Sequence, residues 1–128
     1  MLLKLQYTND LSGKSKSLRL NSFLDTFPYN AHVTASDAIR MGIPVVTLTG
    51  NSFASRVGAS ILSCVGIKEL IARSTKEYQE LGIELAIKPN KLAKFKNHIR
   101  ESVSKSRLFD SHAFTKKLEK IYLNLLKK

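Results

Sequence analysis

The sequence has a single cysteine and no tryptophan. Cys64 is the only cysteine among 128 residues, so neither a disulfide framework nor a cysteine-based metal site can be built within the chain. Ser63 and Val65 flank it in an apolar, helix-like stretch, which predicts that Cys64 is a small buried side chain.

Long hydrophobic runs are also lacking. The longest, Ile43 to Leu48, is far shorter than the roughly 20 residues of a membrane span. The apolar start, Met1 to Leu5, is too short for the core of a signal peptide. We therefore expect a cytoplasmic protein that does not associate with membranes.

Acidic residues are scarce, above all near the C-terminus. The formal net charge is +11, and from residue 88 onward twelve basic residues face three acidic ones, which leaves +9 there. Such a region can bind nucleic acid or an acidic partner. Because no recognition module or interleaved aromatic residues accompany it, nucleic-acid binding is not expected, and solvated helix faces are the preferred interpretation.

Residues 21–73 alternate short apolar runs with helical patterns. The predicted order is strand Phe23–Leu24, helix Thr34–Met41, strand Val45–Leu48, helix Phe53–Val65 and a short strand Leu70–Ala72. This alternation predicts an α/β fold with a parallel sheet and a ligand crevice at the carboxyl ends of the strands. Residues 1–20 are poorly determined, with a short helix ending near Leu20 as one option.

Residues 74–128 are predicted to form three further helices in the same domain. Ser74 and Glu77 have the spacing of a capping box, Pro89 separates two helices, and Asp110 or Ser111 caps the last. That last helix carries one apolar stripe: Phe114, Leu118, Ile121, Tyr122, Leu125 and Leu126. We interpret these helices as scaffold.

The stretch LDTFPYNAHVTASD, residues 24–37, predicts an anion site. A strand leads through a turn into a helix, and the first backbone N–H groups of a helix have no intrahelical acceptor and lie at its positive end. A phosphate group beyond the strand end would meet donors that already point toward it. The expected ligand is a nucleoside diphosphate.

Four segments resemble one known family in order and spacing. They read LDTFPYNAHVTASDA, GIPVVTLTGNSFASRVGAS, ELIARSTKEYQEL and SRLFDSHAF, and they are similar to the C-terminal catalytic region of O-linked N-acetylglucosamine transferases and SPINDLY-like glycosyltransferases. The resemblance runs from about Leu18 to the C-terminus. It implies the C-terminal part of the Rossmann-like nucleotide-binding lobe of a two-lobed, GT-B type enzyme. It also implies that residues 21–73 are the βαβ nucleotide-diphosphate-binding core.

The resemblance further implies an activity and its site. The family transfers N-acetylglucosamine from UDP-GlcNAc to serine or threonine hydroxyls of proteins, with inversion and without a metal or other cofactor. His32, Val33 and Thr34 match the family's His-Thr-Thr, which meets the diphosphate and donor sugar. Asp37 matches the aspartate that receives the ribose hydroxyls. Tyr29 is expected in the crevice wall, and Arg56 is a possible phosphate contact.

Plainer roles compete with these assignments. Thr34 and Asp37 also have the spacing of a capping box, in which both side chains serve only the helix's own first amides. The spacing by itself favours that role, and the family resemblance reverses the preference. A lone His32 is more often a partly exposed polar residue than a ligand contact. Arg56 could equally pair with a carboxylate or with neighbouring carbonyl groups.

Two departures from the family pattern bear on activity. Val33 stands where the first threonine is usual, which removes a hydroxyl but keeps the backbone amide. The family's other catalytic lobe and its tetratricopeptide repeats have no counterpart in this sequence. We therefore consider three hypotheses: a donor-binding part that needs the missing lobe from a longer or separate chain, a truncated remnant without catalysis, and a basic interaction module.

Overall fold

The computed structural model describes residues 21–127 with side chains, and residues 5–6 and 19–20 by their backbone alone. Strands β1 (Leu5–Gln6) and β2 (Arg19–Leu20) pair antiparallel. The helix considered near Leu20 is therefore wrong, because that residue extends along a strand partner. The rest of the N-terminal segment lies outside the described residues.

A three-stranded parallel sheet forms the centre of the described chain. Its order is β3 (Phe23–Leu24), β4 (Val45–Leu48) and β5 (Ile71–Ala72), with Phe23 opposite Val45 and Thr47 opposite Ile71. All four residues of β4 are buried, as expected for a central parallel strand covered on both faces. The predicted α/β class is confirmed.

Within residues 21–127, five α-helices surround this sheet or extend from it, and α1, α2 and α3 all contact β4. Their ranges are α1 (Val33–Arg40), α2 (Val57–Cys64), α3 (Thr75–Ile87), α4 (Pro89–Val103) and α5 (Ser111–Leu126). The helix predicted from Phe53 begins instead with a 3-10 turn, Ala54–Arg56. Gly42 and Gly66, both with φ 77°, follow α1 and α2, where a left-handed residue ends a helix most easily.

One hydrophobic core unites the sheet with α1 to α4. Leu85 of α3 and the pair Phe95 and Ile99 of α4 pack in the same cluster as Val45 and Ile39. Residues 74–103 therefore contribute to the core that holds the sheet in place.

The Cys64 prediction is wrong, because this side chain is exposed. The buried face at this end of α2 consists of Ile61, Leu62 and the following Val65. Ser63 and Cys64 lie on the other side, toward solvent. The apolar residues beside Cys64 in sequence therefore do not bury its side chain.

The helix caps follow the predicted pattern. The Ser74 hydroxyl accepts the Glu77 N–H at 3.2 Å, and the Glu77 carboxylate accepts the Arg73 N–H at 2.7 Å. Asp110, not Ser111, caps α5 by accepting the Ala113 N–H at 2.9 Å. In the described part of the chain, no helix combines the length and the apolar character needed to cross a membrane.

Helix α5 adds nothing to the core. None of its residues is buried, and its apolar stripe remains largely exposed, with Ile121 at 54% and Leu126 at 82%. The stripe itself was predicted correctly from its spacing, but it has no buried face against the described residues.

Two lysines hold Glu84 at the junction between α3 and α4. Its carboxylate pairs with Lys91 at 2.5 Å and with Lys88 at 2.9 Å. Hydrogen bonds from Lys91 and then Lys88 lower the pKa of Glu84 from 4.5 to about 2. Because Lys91 belongs to α4, this cluster links the two helices.

Tyr78 links α3 to the sheet edge and generates the first prediction. Its hydroxyl donates to the backbone carbonyl of Asp25 at 2.7 Å. Burial, and then the negative charge of Asp25, raise the pKa of Tyr78 above its ordinary value of 10.0. The folded state therefore disfavours the phenolate, so this contribution to stability is complete below pH 10 and is lost as the pH rises further.

We expect Tyr78→Phe to lower the free energy of unfolding at neutral pH by about 1 kcal/mol through loss of the hydrogen bond. Above about pH 10 the variant should lose less additional stability than the parent. Urea unfolding measured from neutral to alkaline pH tests both statements. Tyr122→Phe, at an exposed tyrosine of α5, is the matched control, and parallel pH curves for parent and Tyr78→Phe would contradict the prediction.

Candidate functional site

Two loops meet at the carboxyl edge of the sheet. The first joins β3 to α1, and the second joins β4 to the 3-10 turn before α2. The Asn30 N–H of the first loop donates to the Ala54 carbonyl of that turn at 3.1 Å. Across the loops, the Phe53 ring lies edge-on to His32, with centroids 6.2 Å apart. These two loops lie at the edge of the sheet where the sequence predicts the crevice.

Helix α1 begins at this edge without a side-chain cap. His32 is the N-cap residue, and its side chain accepts no backbone N–H. The first turn carries no acidic residue, and among the described residues the N–H groups of Val33 and Thr34 have no acceptor. Both residues are exposed, Val33 to 74%. The positive end of the helix is thus open to a ligand.

Thr34 and Asp37 do not form a capping box. The helix begins at Val33, so Thr34 is its second residue, whereas a capping box requires threonine at the N-cap. Both side chains are exposed, and neither makes a hydrogen bond to any part of the chain that the structure describes. Residues three apart share a helix face, so the Thr34 hydroxyl and the Asp37 carboxylate lie on one side of α1.

A cavity of about 470 Å³ lies against the start of α1. It brings together four of the predicted site residues, Tyr29, His32, Val33 and Thr34. Asp37 lies one turn further along α1, outside the cavity lining. The cavity wall is completed by Phe23, Thr26, Asn30 and Ala31.

Arg56 is placed apart from this group. It lines a separate cavity of about 380 Å³ together with Phe53, Val57, Ser60 and Ile61. Its side chain is exposed and forms no ion pair or hydrogen bond with the described residues. The structural pairing considered for Arg56 is not observed among the described residues, and Arg56 does not line the 470 Å³ cavity.

His32 has aromatic neighbours that the sequence did not indicate. The Tyr29 ring stacks on it, with centroids 5.1 Å apart and planes inclined by 18°. Its Nε2 atom is buried and has no hydrogen-bond partner among the described residues. An imidazole nitrogen in this position is a ready donor or acceptor for a bound group, since buried polar atoms are nearly always paired.

Asp25 and Asn30 are buried polar residues that sequence reasoning missed as part of the site. They are exposed to only 3% and 0%. Their side chains hold the loop between β3 and α1, and Asn30 also lines the cavity. An acid directly after a strand and an asparagine shortly before a helix were the signals available, but their partners lie far away in sequence.

Neither a metal-binding cluster nor the exposed basic residues of α4 and α5 form part of this site in the described chain. Across the described ranges, no three histidine, cysteine, aspartate or glutamate side chains gather in a metal-binding arrangement. Exposed basic residues occur along α4 and α5 and between them, and none of these lines the 470 Å³ cavity: Lys94, Arg100, Lys105, Arg107, Lys116, Lys117, Lys120 and Lys127.

Comparison with known proteins identifies several relatives. A SPINDLY protein of Petunia hybrida, named a probable UDP-N-acetylglucosamine–peptide N-acetylglucosaminyltransferase, is 41% identical over 102 residues, 80% of this chain and 11% of that protein. The SEC protein of Arabidopsis thaliana, with the same enzyme name, is 31% identical over 121 residues, 91% of this chain and 12% of that protein.

A solved structure is similar as well. A mutant of the Thermobaculum terrenum O-GlcNAc transferase matches with a TM-score of 0.75 and 35% identity, over 80% of this chain and 20% of that one. The chain thus spans only a small fraction of these relatives' length. The model of glycosyl transferase family 41 matches residues 18–118, and the chain belongs to this family.

Proposed function

We propose that this chain is the donor-binding part of a protein O-GlcNAc transferase. It would bind UDP-GlcNAc at the start of α1 while N-acetylglucosamine passes to a serine or threonine hydroxyl of an acceptor protein. The observation that carries the proposal is the uncapped, exposed helix start at the carboxyl edge of the sheet. The names of the relatives support the choice of donor and acceptor.

Each site residue has a proposed role. The N–H groups of Val33 and Thr34, with the Thr34 hydroxyl, bind the diphosphate. The Asp37 carboxylate accepts hydrogen bonds from the ribose hydroxyls. His32 offers its Nε2 atom, which has no partner among the described residues, to the diphosphate or the donor sugar. Tyr29, stacked on His32, forms the wall beside it.

These donors suit the chemistry of the transfer. The acceptor oxygen bonds to the anomeric carbon from one face while the bond to the diphosphate oxygen breaks on the other, which inverts the configuration. The bonding electrons remain on the diphosphate, and the acceptor proton passes to a base that we place in the missing lobe. Fixed N–H groups at the diphosphate stabilise the developing charge more in the transition state than in the bound donor. In this proposal a metal ion is not required.

The proposal treats the chain as incomplete for catalysis. The second lobe and the tetratricopeptide repeats of the family are expected on a longer or a separate chain, and the cytoplasm is the expected compartment. Binding of UDP by this chain should be weak, because Val33 lacks the hydroxyl of the usual threonine. A lost hydrogen bond to a charged group corresponds to about 1.5 to 3 kcal/mol, or roughly a ten- to hundredfold lower affinity.

Calorimetry with UDP tests the assigned side chains. We expect Thr34→Ala and Asp37→Ala each to lower the affinity about tenfold, because each removes a hydrogen bond to the ligand. Thr115→Ala and Glu101→Ala remove a threonine and an acidic side chain at exposed positions of α5 and α4. These controls should bind UDP like the parent.

Measurements with the missing lobe added distinguish a donor-binding part of an enzyme from a non-catalytic remnant. Absence of UDP binding, even with a complementing lobe present, would reject the proposed function. Retained binding without any transfer from UDP-GlcNAc, with folding intact, would instead identify a non-catalytic remnant.

Restoring the family's usual residue gives a prediction of the opposite sign. Val33→Thr should raise the affinity for UDP by roughly ten- to hundredfold, since it adds a hydroxyl beside the diphosphate. The same calorimetric titration measures the change, with Ile83→Thr at an exposed position of α3 as the control. An affinity equal to that of the parent would show that residue 33 does not face the ligand.

A further inference from the structure

Asp25 is a buried acid that has backbone and hydroxyl partners instead of a cation. Its Oδ1 atom accepts the N–H groups of Thr26 at 2.8 Å and Ala31 at 2.6 Å. Its Oδ2 atom accepts the Thr47 hydroxyl of β4 at 2.7 Å. None of the ion pairs in the described part of the chain includes it. One carboxylate therefore joins both ends of the loop and fixes them to the central strand.

Asn30 holds the same loop from the other side. Its amide nitrogen donates to the Thr26 carbonyl at 2.8 Å and to the Leu48 carbonyl at 3.4 Å. Its side-chain oxygen accepts the Gly58 N–H of α2 at 3.4 Å. Asn30 lies two positions before the N-cap residue His32. Its side chain therefore connects the end of the loop to β4 and to α2.

The space around these bonds is tight. A side-chain methyl group at Gly58 would collide with the Thr47 hydroxyl and with the Asp25 carboxylate. Buried polar groups that lose a partner incur a desolvation cost, so a fully paired network of this kind has one strongly preferred arrangement. The loop from Thr26 to Ala31 is consequently fixed directly before His32.

We propose that Asp25 and Asn30 are positioning residues of the donor site: their side chains fix the loop that sets where the first turn of α1 presents its N–H groups. This inference rests on the proposed function. Neither side chain needs to contact the ligand, because each acts through the backbone of residues 26–31. In catalysed reactions, a misplacement of about 1 Å caused by a distant mutation can lower the rate about 100-fold, and hydrogen bonds to a bound donor likewise weaken when their distance or angle departs from the optimum.

Binding of UDP to purified variants tests the inference. Asp25→Ala and Asn30→Ala should each weaken UDP binding about tenfold or more, because the helix start is no longer held in place. Asp25→Asn should stay within about threefold of the parent, since its oxygen still accepts both loop N–H groups and its amide can donate to the Thr47 hydroxyl. This rescue by the conservative variant distinguishes positioning from a need for negative charge.

A control and a milder variant keep the test decisive. Ser106→Ala removes another largely buried polar side chain, which bonds to Cys64 and Leu108 away from the site. It should lower the melting temperature without changing UDP affinity. If Asp25→Ala does not fold, Thr47→Val removes only the Oδ2 partner and should still weaken binding.

A ligand-free readout separates this inference from the proposed function. Hydrogen exchange of the Ala31 amide, protected by Asp25 in the parent, should accelerate at least about tenfold in Asp25→Ala relative to Ser106→Ala. If the parent does not bind UDP, the proposed function fails while the exchange result still tests the loop. If folded Asp25→Ala and Asn30→Ala bind UDP as tightly as the parent, the positioning role is overturned and the proposed function stands.

Discussion

The open start of α1 is the constraint on which the site depends. A side-chain cap typically stabilises a helix by about 1 kcal/mol, and α3 and α5 both have one. Helix α1, whose N-cap residue is His32, has none, and neither do α2 and α4. In our proposal the missing cap of α1 leaves its first N–H groups available, because a capping oxygen would occupy the donors needed by the diphosphate. Instead, the buried hydrogen bonds of Asp25 and Asn30 hold the loop directly before His32, and with it the start of the helix.

At this edge of the sheet, buried residues shape the loop and exposed residues remain available to a ligand. Asp25 and Asn30 are buried and fully engaged with the protein, whereas Thr34 and Asp37, one or more residues into the helix, are exposed and unengaged within the described chain. Burial strengthens the hydrogen bonds that shape the loop, and exposure leaves the next residues available to a ligand. Tyr78 adds a third connection by binding the Asp25 carbonyl from α3.

Much of this arrangement was predictable from local sequence. Several local signals located parts of the fold to within a residue or two, because such signals act over a few positions. The apolar run at Val45–Leu48 gave a strand, the glycines after α1 and α2 gave two helix ends, and the capping serine of α3 gave a helix start. The contacts that shape the site are long-range: Asp25 meets Thr47 across 22 residues, and Asn30 meets Gly58 across 28. No local pattern encodes such pairs. For the same reason, the sequence could not show that Cys64 is exposed or that the stripe of α5 is unburied.

The most direct measurement is an amide-resolved NMR titration of the chain with UDP, compared with uridine, which lacks the phosphates. Diphosphate binding at the start of α1 predicts saturable shifts of the Val33 and Thr34 amides with UDP and much smaller shifts at those amides with uridine. Shifts that are the same for both ligands, or that fall on residues away from α1 and its preceding loop, would contradict it.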